Sequence, residues 1–277
     1  HLNQVPTNAS AGVRDSSNNG NHGQTHNMET SDLISGKIGP ALHFTAGDEN
    51  VLVPDHASLD LTGDITLSAW VNFDSTPTSF NGIVSKKGPS GANAYGMFMG
   101  QPDDPKVRIG GGTYTATASP YINLGTWHFM TAVFDNANNQ IRYYWNGTQL
   151  GNAVACSDSP PSNGSELEFG SEGGNDPLDG RLDEVRVSSI ARNACWIETE
   201  YNNQNSPATF YGLGSEEING NVFTITSTKG SDGAVSPLGD VTVSEGSSKT
   251  YTFTPDYGFR VDEVFVDGSA VTISNNQ

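Results

Sequence analysis

The sequence of 277 residues contains 31 acidic and 13 basic residues, so its formal net charge is −18. A field of this sign repels nucleic acid and anionic membranes, and no basic cluster in the sequence opposes it. No apolar run approaches the roughly 18 residues that a membrane-spanning helix requires. These properties argue against nucleic-acid binding and direct membrane insertion. The acidity itself either serves solubility or holds a hard cation through oxygen ligands.

Short strands separated by polar turns dominate the rest of the pattern. Residues 1–40 are polar and rich in glycine and asparagine, which predicts loops. Strand-like segments begin at residues 41–44 and 50–53, and apolar side chains alternate with the others over residues 65–71. This period of two is typical of a strand with one buried face. Many such strands without intervening helices predict an all-β fold built from antiparallel sheets.

Five segments occur in an order and spacing that resemble a known family. They are residues 65–71 (ITLSAWV), 82–86 (GIVSK), 127–135 (WHFMTAVFD), 141–147 (IRYYWNG) and 180–187 (GRLDEVRV). Together they resemble the laminin-G-like modules of the concanavalin A-like lectin/glucanase superfamily, over about residues 10–215. The resemblance implies a jelly-roll β-sandwich of two sheets, in a class of modules that mostly bind rather than catalyse.

The chain is predicted to continue into a second, smaller β domain. We expect a concanavalin A-like sandwich over 1–214, a linker over 215–221 and a small β module over 222–277. The last segment resembles the repeated β modules of bacterial surface proteins, and we expect it to be incomplete. Near the end of the first domain, residues 192–201 predict a short helix. Its residues Trp196, Ile197 and Tyr201 are expected to cap one end of the sandwich.

An N-terminal loop predicts a calcium site. Oxygen-bearing side chains at Asp15, Ser17 and Asn19, followed by Gly20, match the first half of an EF-hand loop. The acidic ligand that normally completes such a loop is missing, so a carboxylate must come from elsewhere. The family resemblance suggests Asp183, because the Asp of the last-strand motif helps to hold structural calcium in many related jelly rolls. The alternative is a plain Asx turn of mutually hydrogen-bonded side chains.

Two further residue sets carry structural or binding predictions. Cys156 and Cys195 are the only cysteines, and we expect them to form a disulfide in an oxidising compartment. The alternative is two buried free thiols. Tyr95, Tyr114 and Tyr121 fall near predicted loops and are candidates for a ligand-binding rim.

The acidic cluster at Glu166, Glu168 and Glu172 superficially resembles the paired carboxylates of laminarinase-type glycoside hydrolases, which share the sandwich. Retaining hydrolysis requires two carboxyl groups about 5–5.5 Å apart. Here Gly170 and Ser171 occupy the positions where a further acid is expected. The spacing therefore predicts no catalytic residues.

The resemblance implies a secreted or cell-surface, non-catalytic module that binds a glycan or another surface protein, beside other modules of the same polypeptide. Two alternatives remain open: a structural spacer in a surface filament, and an accessory domain of a secreted polysaccharide hydrolase. We expect this sequence to be part of a longer secreted polypeptide.

Overall fold

The computed structural model describes residues 2–45, 47–77, 80–87, 93–101, 103–212 and 220–273. Contacts between residues divide the chain into two compact units, His1–Gly212 and Leu213–Gln277. The predicted boundary at 214, most of the predicted linker 215–221 and the last four residues of the predicted second module lie outside the described residues.

The first unit is an antiparallel β-sandwich of two sheets, which confirms the predicted all-β, jelly-roll fold. In chain order its strands are β1 (Gln24–His26), β2 (Leu33–Ser35), β3 (Pro40–Thr45), β4 (Asn50–Val53), β5 (Ile65–Phe73), β6 (Asn81–Lys87), β7 (Asn93–Gly100), β8 (Asp104–Ile109), β9 (Gly112–Thr115), β10 (His128–Asp135), β11 (Gln140–Trp145), β12 (Thr148–Gln149), β13 (Val154–Ala155), β14 (Leu167–Phe169) and β15 (Asp179–Ser188). One sheet has the order β1-β4-β14-β6-β7-β8-β9. The other has the order β12-β11-β10-β5-β15-β3-β2, with β13 added to β11.

The core lies between the two sheets and follows the alternation seen in the sequence. On β5, Ile65, Leu67, Ala69 and Val71 are at most 1% exposed and belong to the main apolar cluster. Burying a large apolar side chain contributes about 1.5–3 kcal/mol relative to leaving it in water. The intervening residues of β5 point to the outer face of the eight-stranded sheet.

Strand β15 contains a bulge that matters for the outer face of this sheet. Its pairing with β5 shifts between Asp183 and Arg186, and Glu184 has a φ of +51°. Leu182 lies in the main core and the half-buried Val185 packs against it, although two residues separate them. A bulge inserts one extra residue and re-aims side chains. As a result, the side chains of the adjacent residues Asp183 and Glu184 both point away from the core between the sheets.

Two helices follow β15: α1 (Ala194–Asn205) and α2 (Pro207–Phe210). The side chain of Asn193 caps α1 by accepting a hydrogen bond from the Trp196 amide at 2.9 Å. Helix α1 packs through Ile197 and Tyr201 against Trp70 and other residues of a second apolar cluster. Trp70 lies on the outer face of the eight-stranded sheet, so α1 covers a sheet face. The prediction that these helical residues cap an end of the sandwich is therefore wrong.

The second unit consists of three two-stranded antiparallel sheets. Its strands are β16 (Val222–Ser227), β17 (Gly233–Ser236), β18 (Gly239–Ser244), β19 (Thr252–Pro255), β20 (Val264–Val266) and β21 (Ser269–Val271). The pairs are β16 with β18, β17 with β19 and β20 with β21. Within the described part of this unit, Val235 is the one apolar side chain that is fully buried.

The two cysteines are free in the structure, so the predicted disulfide is not formed. Cys156 is 1% exposed and belongs to the core between the sheets. Cys195 is exposed on the first turn of α1, which packs on the outside of the eight-stranded sheet. The sheet thus separates the two thiols. The alternative of two buried thiols holds for Cys156 alone.

Candidate functional site

A groove with a volume of about 690 Å³ runs beside α1. The helix and α2 form one wall, while the turn containing Lys37 and the bulged segment of β15 form the other. Its lining includes Lys37, Glu184, Arg186, Trp196, Glu200 and Asn203. Sites for small ligands are typically concave, with volumes of about 300–1,000 Å³ and a few convergent polar groups. The volume of this groove falls in that range, and most of its lining is polar.

Arg186 joins two nearly buried carboxylates at the base of the groove. Its Nη2 atom lies 2.6 Å from Glu184 Oε2, and its Nη1 atom pairs with Glu200 Oε1. The Glu184 and Glu200 side chains are 1% and 5% exposed, whereas that of Arg186 is 42% exposed. Burying a carboxylate without a partner is costly, so the guanidinium holds both acids in place.

Glu200 retains one oxygen for a further interaction. Among the described residues, no group donates a hydrogen bond to its Oε2 atom. Burial raises the pKa of Glu200, and the neighbouring Arg186 opposes this effect. A buried acceptor without a donor costs about 1–3 kcal/mol. A ligand that donates a hydrogen bond here would remove that cost.

The position of Glu200 is fixed through α1 to the sheet below. Gln204 lies one turn after Glu200, and its Nε2 atom is 3.5 Å from Glu200 Oε1. The Oε1 atom of Gln204 accepts a hydrogen bond from the buried Trp70 indole at 2.5 Å. This chain of contacts ties the base of the groove to the sheet.

The rim combines an aromatic face with cations that already have partners. Trp196 is 37% exposed, and the Arg192 guanidinium lies 4.4 Å from its ring centre. Lys37 lies 4.5 Å from the Trp70 ring centre and donates to Asn205 Oδ1 at 2.8 Å. Cation–π contacts of this kind contribute roughly 0.5–1 kcal/mol at exposed sites.

Asp183 holds the turn that carries Lys37. Its Oδ2 atom accepts a hydrogen bond from the Ile38 amide at 2.8 Å, and its Oδ1 atom accepts one from the Glu184 amide at 2.8 Å. Burial raises the pKa of Asp183 to about 6, although the hydrogen bond from the Ile38 amide acts in the opposite direction. A Cβ atom on Gly36 would lie 2.7 Å from Asp183 Oδ2, so the turn needs glycine at this point.

A family model described as the concanavalin A-like lectin/glucanases superfamily matches residues 45–198. The chain belongs to this superfamily. The matched segment includes β5 to β15 and the start of α1, and therefore the bulge and part of the groove. No curated protein sequence matches the chain at a significant level.

Several solved structures share the fold. The binding domain of Paraclostridial Mosquitocidal Protein 1 has a TM-score of 0.55 at 15% identity, covering 73% of this chain and 52% of that one. Domain 4 of AbnA, a GH43 extracellular arabinanase from Geobacillus stearothermophilus, solved with arabinotriose, has a TM-score of 0.55 at 19% identity, covering 67% and 91%. The botulinum neurotoxin serotype G binding domain has a TM-score of 0.53 at 14% identity, covering 70% and 49%. The present chain thus spans about half of the first protein, and at these identities the likeness concerns the fold.

The four predicted calcium ligands make hydrogen bonds in two different parts of the structure. The carboxylate of Asp15 accepts hydrogen bonds from the Ser17 amide at 2.8 Å, the Ser17 hydroxyl at 2.7 Å and the Asn21 amide at 2.9 Å. The Asn19 amide in turn donates to Ser17 Oγ at 3.3 Å. Asp183 instead binds the turn at Ile38. Within the described ranges, no group of three or more His, Cys, Asp or Glu side chains is placed to hold a metal.

These contacts match the Asx-turn alternative for residues 15–21, because the Asp15 carboxylate is occupied by its own loop. The four predicted ligands do not form one donor set. We therefore assign no role to calcium in the chemistry of the groove, and calcium binding by this chain stays a prediction.

The three tyrosine candidates differ in their surroundings. Tyr95 is fully buried on β7 with the parity of Met97, and its hydroxyl donates to the Leu59 carbonyl at 2.9 Å. Its prediction as a rim residue is therefore wrong. The Tyr114 hydroxyl donates to Asp158 Oδ2 at 2.7 Å, whereas Tyr121 is 80% exposed. Of the three, Tyr121 presents an accessible ring, and it does not line the groove.

Glu168 holds a loop on the outer face of the seven-stranded sheet. Its Oε1 atom accepts hydrogen bonds from Asn50 Nδ2 at 2.8 Å and from the Ser171 hydroxyl, and its Oε2 atom accepts one from the Gly173 amide. Glu172 pairs with Arg108, and Glu166 is exposed beside a cavity of about 100 Å³. These contacts engage Glu168 and Glu172 in structural roles.

The groove residues Lys37, Arg186 and Glu200 were not predicted to form a site. One signal was present, because Trp196 and Glu200 are four residues apart and lie on one side of a predicted helix. The docking of that helix on Trp70 brings them to β15, and no local pattern encodes this placement.

Proposed function

We propose that the first unit is a non-catalytic binding module of an extracellular protein and that it binds carbohydrate in the groove beside α1. The observation that carries this proposal is the buried Glu200 carboxylate, which lines a groove with an exposed Trp ring on its rim and has one oxygen without a donor among the described residues. Sugars bring both hydroxyl donors and apolar ring faces, and aromatic side chains offer a rigid apolar surface for such faces.

Membership of the concanavalin A-like lectin/glucanases superfamily supports a binding role. The arabinanase domain solved with arabinotriose supports carbohydrate as the ligand class. That domain also favours one of the alternatives left open by the sequence, an accessory module within a larger secreted hydrolase. In either setting, the module itself would bind and another part of the polypeptide would act.

The absence of catalysis in this unit forms part of the proposal. Hydrolysis with retention needs one carboxylate free to attack and a second that donates a proton. Glu168 uses both oxygens to hold the loop at 171–173, and Glu172 is paired with Arg108. Reducing-sugar release from laminarin, agarose and arabinan tests this point. Release that is lost in the Glu168→Gln variant would contradict it.

A glycan array followed by calorimetry on the full chain tests the binding proposal. Trp196→Ala removes the exposed ring and should weaken binding of any captured glycan by about two- to tenfold, since a well-placed aromatic contact contributes roughly 0.5–1.5 kcal/mol beyond its buried area. Tyr121→Ala is a matched control, because it removes an exposed aromatic ring outside the groove. A chain that captures no glycan, or that loses binding only with Tyr121→Ala, would refute the proposed site.

A further inference from the structure

We infer that the groove selects neutral, hydroxyl-rich oligosaccharides over acidic ones, and that Glu200 is the residue that determines this selectivity. The inference rests on the proposed carbohydrate-binding function and adds the chemical class of the ligand. It derives from the charges and hydrogen-bonding state of the groove.

The acceptor at the base of the groove favours a neutral donor. Glu200 Oε2 is buried and lacks a donor among the described residues. A sugar hydroxyl can donate to this oxygen, while a ligand carboxylate has no proton to offer near neutral pH. An acidic sugar would instead bring a second carboxylate towards Glu200. Like charges in a partly buried site repel strongly, because the local dielectric constant is low.

The cations that line the groove are already engaged. Arg186 pairs with both Glu184 and Glu200. Lys37 lies over Trp70 and donates to Asn205, and burial lowers its pKa. Recognition of an acidic sugar calls for a cation, ideally an arginine fork, that is directed at the ligand carboxylate. Here that fork is used to hold the base of the groove.

The remaining polar side chains suit hydroxyl groups. Thr199 and Asn203 line the groove, and both a hydroxyl and an amide side chain offer a donor and an acceptor. A sugar hydroxyl group likewise donates and accepts. The net charge of −18 adds a long-range repulsion against acidic ligands. The groove and the overall field therefore discriminate in the same direction.

Glu200→Gln tests the assigned residue with little change in shape. Its Oε1 atom would keep the contact with Arg186, so the new amide nitrogen would take the place of Oε2. The groove would then present a donor where it had presented an acceptor. A neutral hydroxyl can still accept from this amide, whereas an acidic sugar loses the repulsion and gains a donor.

The experiment measures binding of matched neutral and acidic ligands by the full chain. The first pair of ligands is lactose and sialyllactose, and the second is xylotriose and its glucuronic-acid-substituted form. A glycan array shows which of them the chain captures, and calorimetry then measures the affinity of each captured ligand. We expect at least a tenfold preference for the neutral member of each captured pair. The preference should fall at least tenfold in Glu200→Gln, in line with a hydrogen bond to a charged group. Asn203→Asp is the opposite control, because it adds a carboxylate at an exposed position of the lining and should not reduce the preference.

The possible outcomes distinguish the proposed carbohydrate binding from the proposed selectivity. Capture of neutral glycans with a preference that falls in Glu200→Gln supports the inference. Equal or stronger binding of the acidic members overturns it but leaves the carbohydrate-binding function intact. A neutral preference that is unchanged in Glu200→Gln overturns the role of Glu200. Capture of no glycan refutes the proposed function and the inference with it. Circular dichroism and melting temperature confirm that each variant is folded.

Discussion

The buried carboxylate of Asp183 predicts that the protein loses stability as the pH rises from 4 to 7. Burial raises the pKa of Asp183 from 3.8 to about 6, so the folded protein keeps this proton at pH values where the unfolded chain has lost it. The stabilising contribution is present below about pH 4 and is lost as the pH rises through about 6. Because one pKa unit corresponds to about 1.4 kcal/mol, the loss amounts to about 3 kcal/mol.

The assay compares the free energy of unfolding of the wild type with that of Asp183→Asn at several pH values between 4 and 7.5. Other titrating groups contribute to both proteins, so the difference between them isolates Asp183. We expect the wild type to lose about 3 kcal/mol relative to the variant across this range. A difference that is flat, or that changes in the wild type's favour as the pH rises, would refute the reasoning.

The same titration tests the calcium prediction. A cation bound to Asp183 would stabilise the charged carboxylate and lower its pKa. The difference between wild type and variant would then change in the opposite direction with pH. Repeating the measurement with Ca²⁺ and with EDTA distinguishes the two cases, and identical curves would count against calcium at this residue.

Three further changes have expected outcomes. Asp55→Ala should destabilise the fold by about 2 kcal/mol in urea denaturation, because the fully buried Lys86 ammonium lies 2.6 Å from Asp55. It would then keep the Asp60 carboxylate at 3.5 Å and the Ser165 carbonyl at 2.6 Å as partners. Lys86→Met, which removes the charge itself, should cost less, and the reverse order would contradict this account. Asn193→Ala should cost about 1 kcal/mol through loss of the α1 cap, and no change in stability would show that the cap is dispensable. In the native protein a thiol reagent should modify Cys195 quickly and Cys156 only on unfolding, since Cys156 is buried and burial raises its pKa. If neither cysteine reacts until the protein has been reduced, the two thiols form the predicted disulfide after all.

The strands of the sandwich were predictable because their alternation is local. The apolar positions of β5 follow a period of two, and the five family segments all coincide with strands of the structure. The bulge was also encoded, since the spacing of Leu182, Val185 and Val187 breaks that period once. This signal could have shown that Asp183 and Glu184 both leave the core.

The errors concern relations between distant parts of the chain. Cys156 and Cys195 are separated by a sheet, and no sequence spacing reveals on which side of a sheet a residue lies. The assignment of Tyr95 to a rim failed because its strand parity, shared with Met97, directs it into the core. The groove depends on a helix that docks on Trp70, and its residues come from positions as far apart as Lys37 and Glu200.

Because of the bulge in β15, one residue of the groove can be removed without disturbing the pairing of the sandwich strands. The register places Asp183 opposite Trp70 and Arg186 opposite Ser68, so the bulged strand has one residue more than its partner. Loss of the single codon for Glu184 would restore regular pairing while Leu182 and Val185 kept their places in the core. The sandwich can therefore gain or lose a carboxylate of the groove through an in-frame insertion or deletion, without any change in the rest of its hydrophobic pattern. The lining of the groove can thus change at this position while the fold of the sandwich is kept.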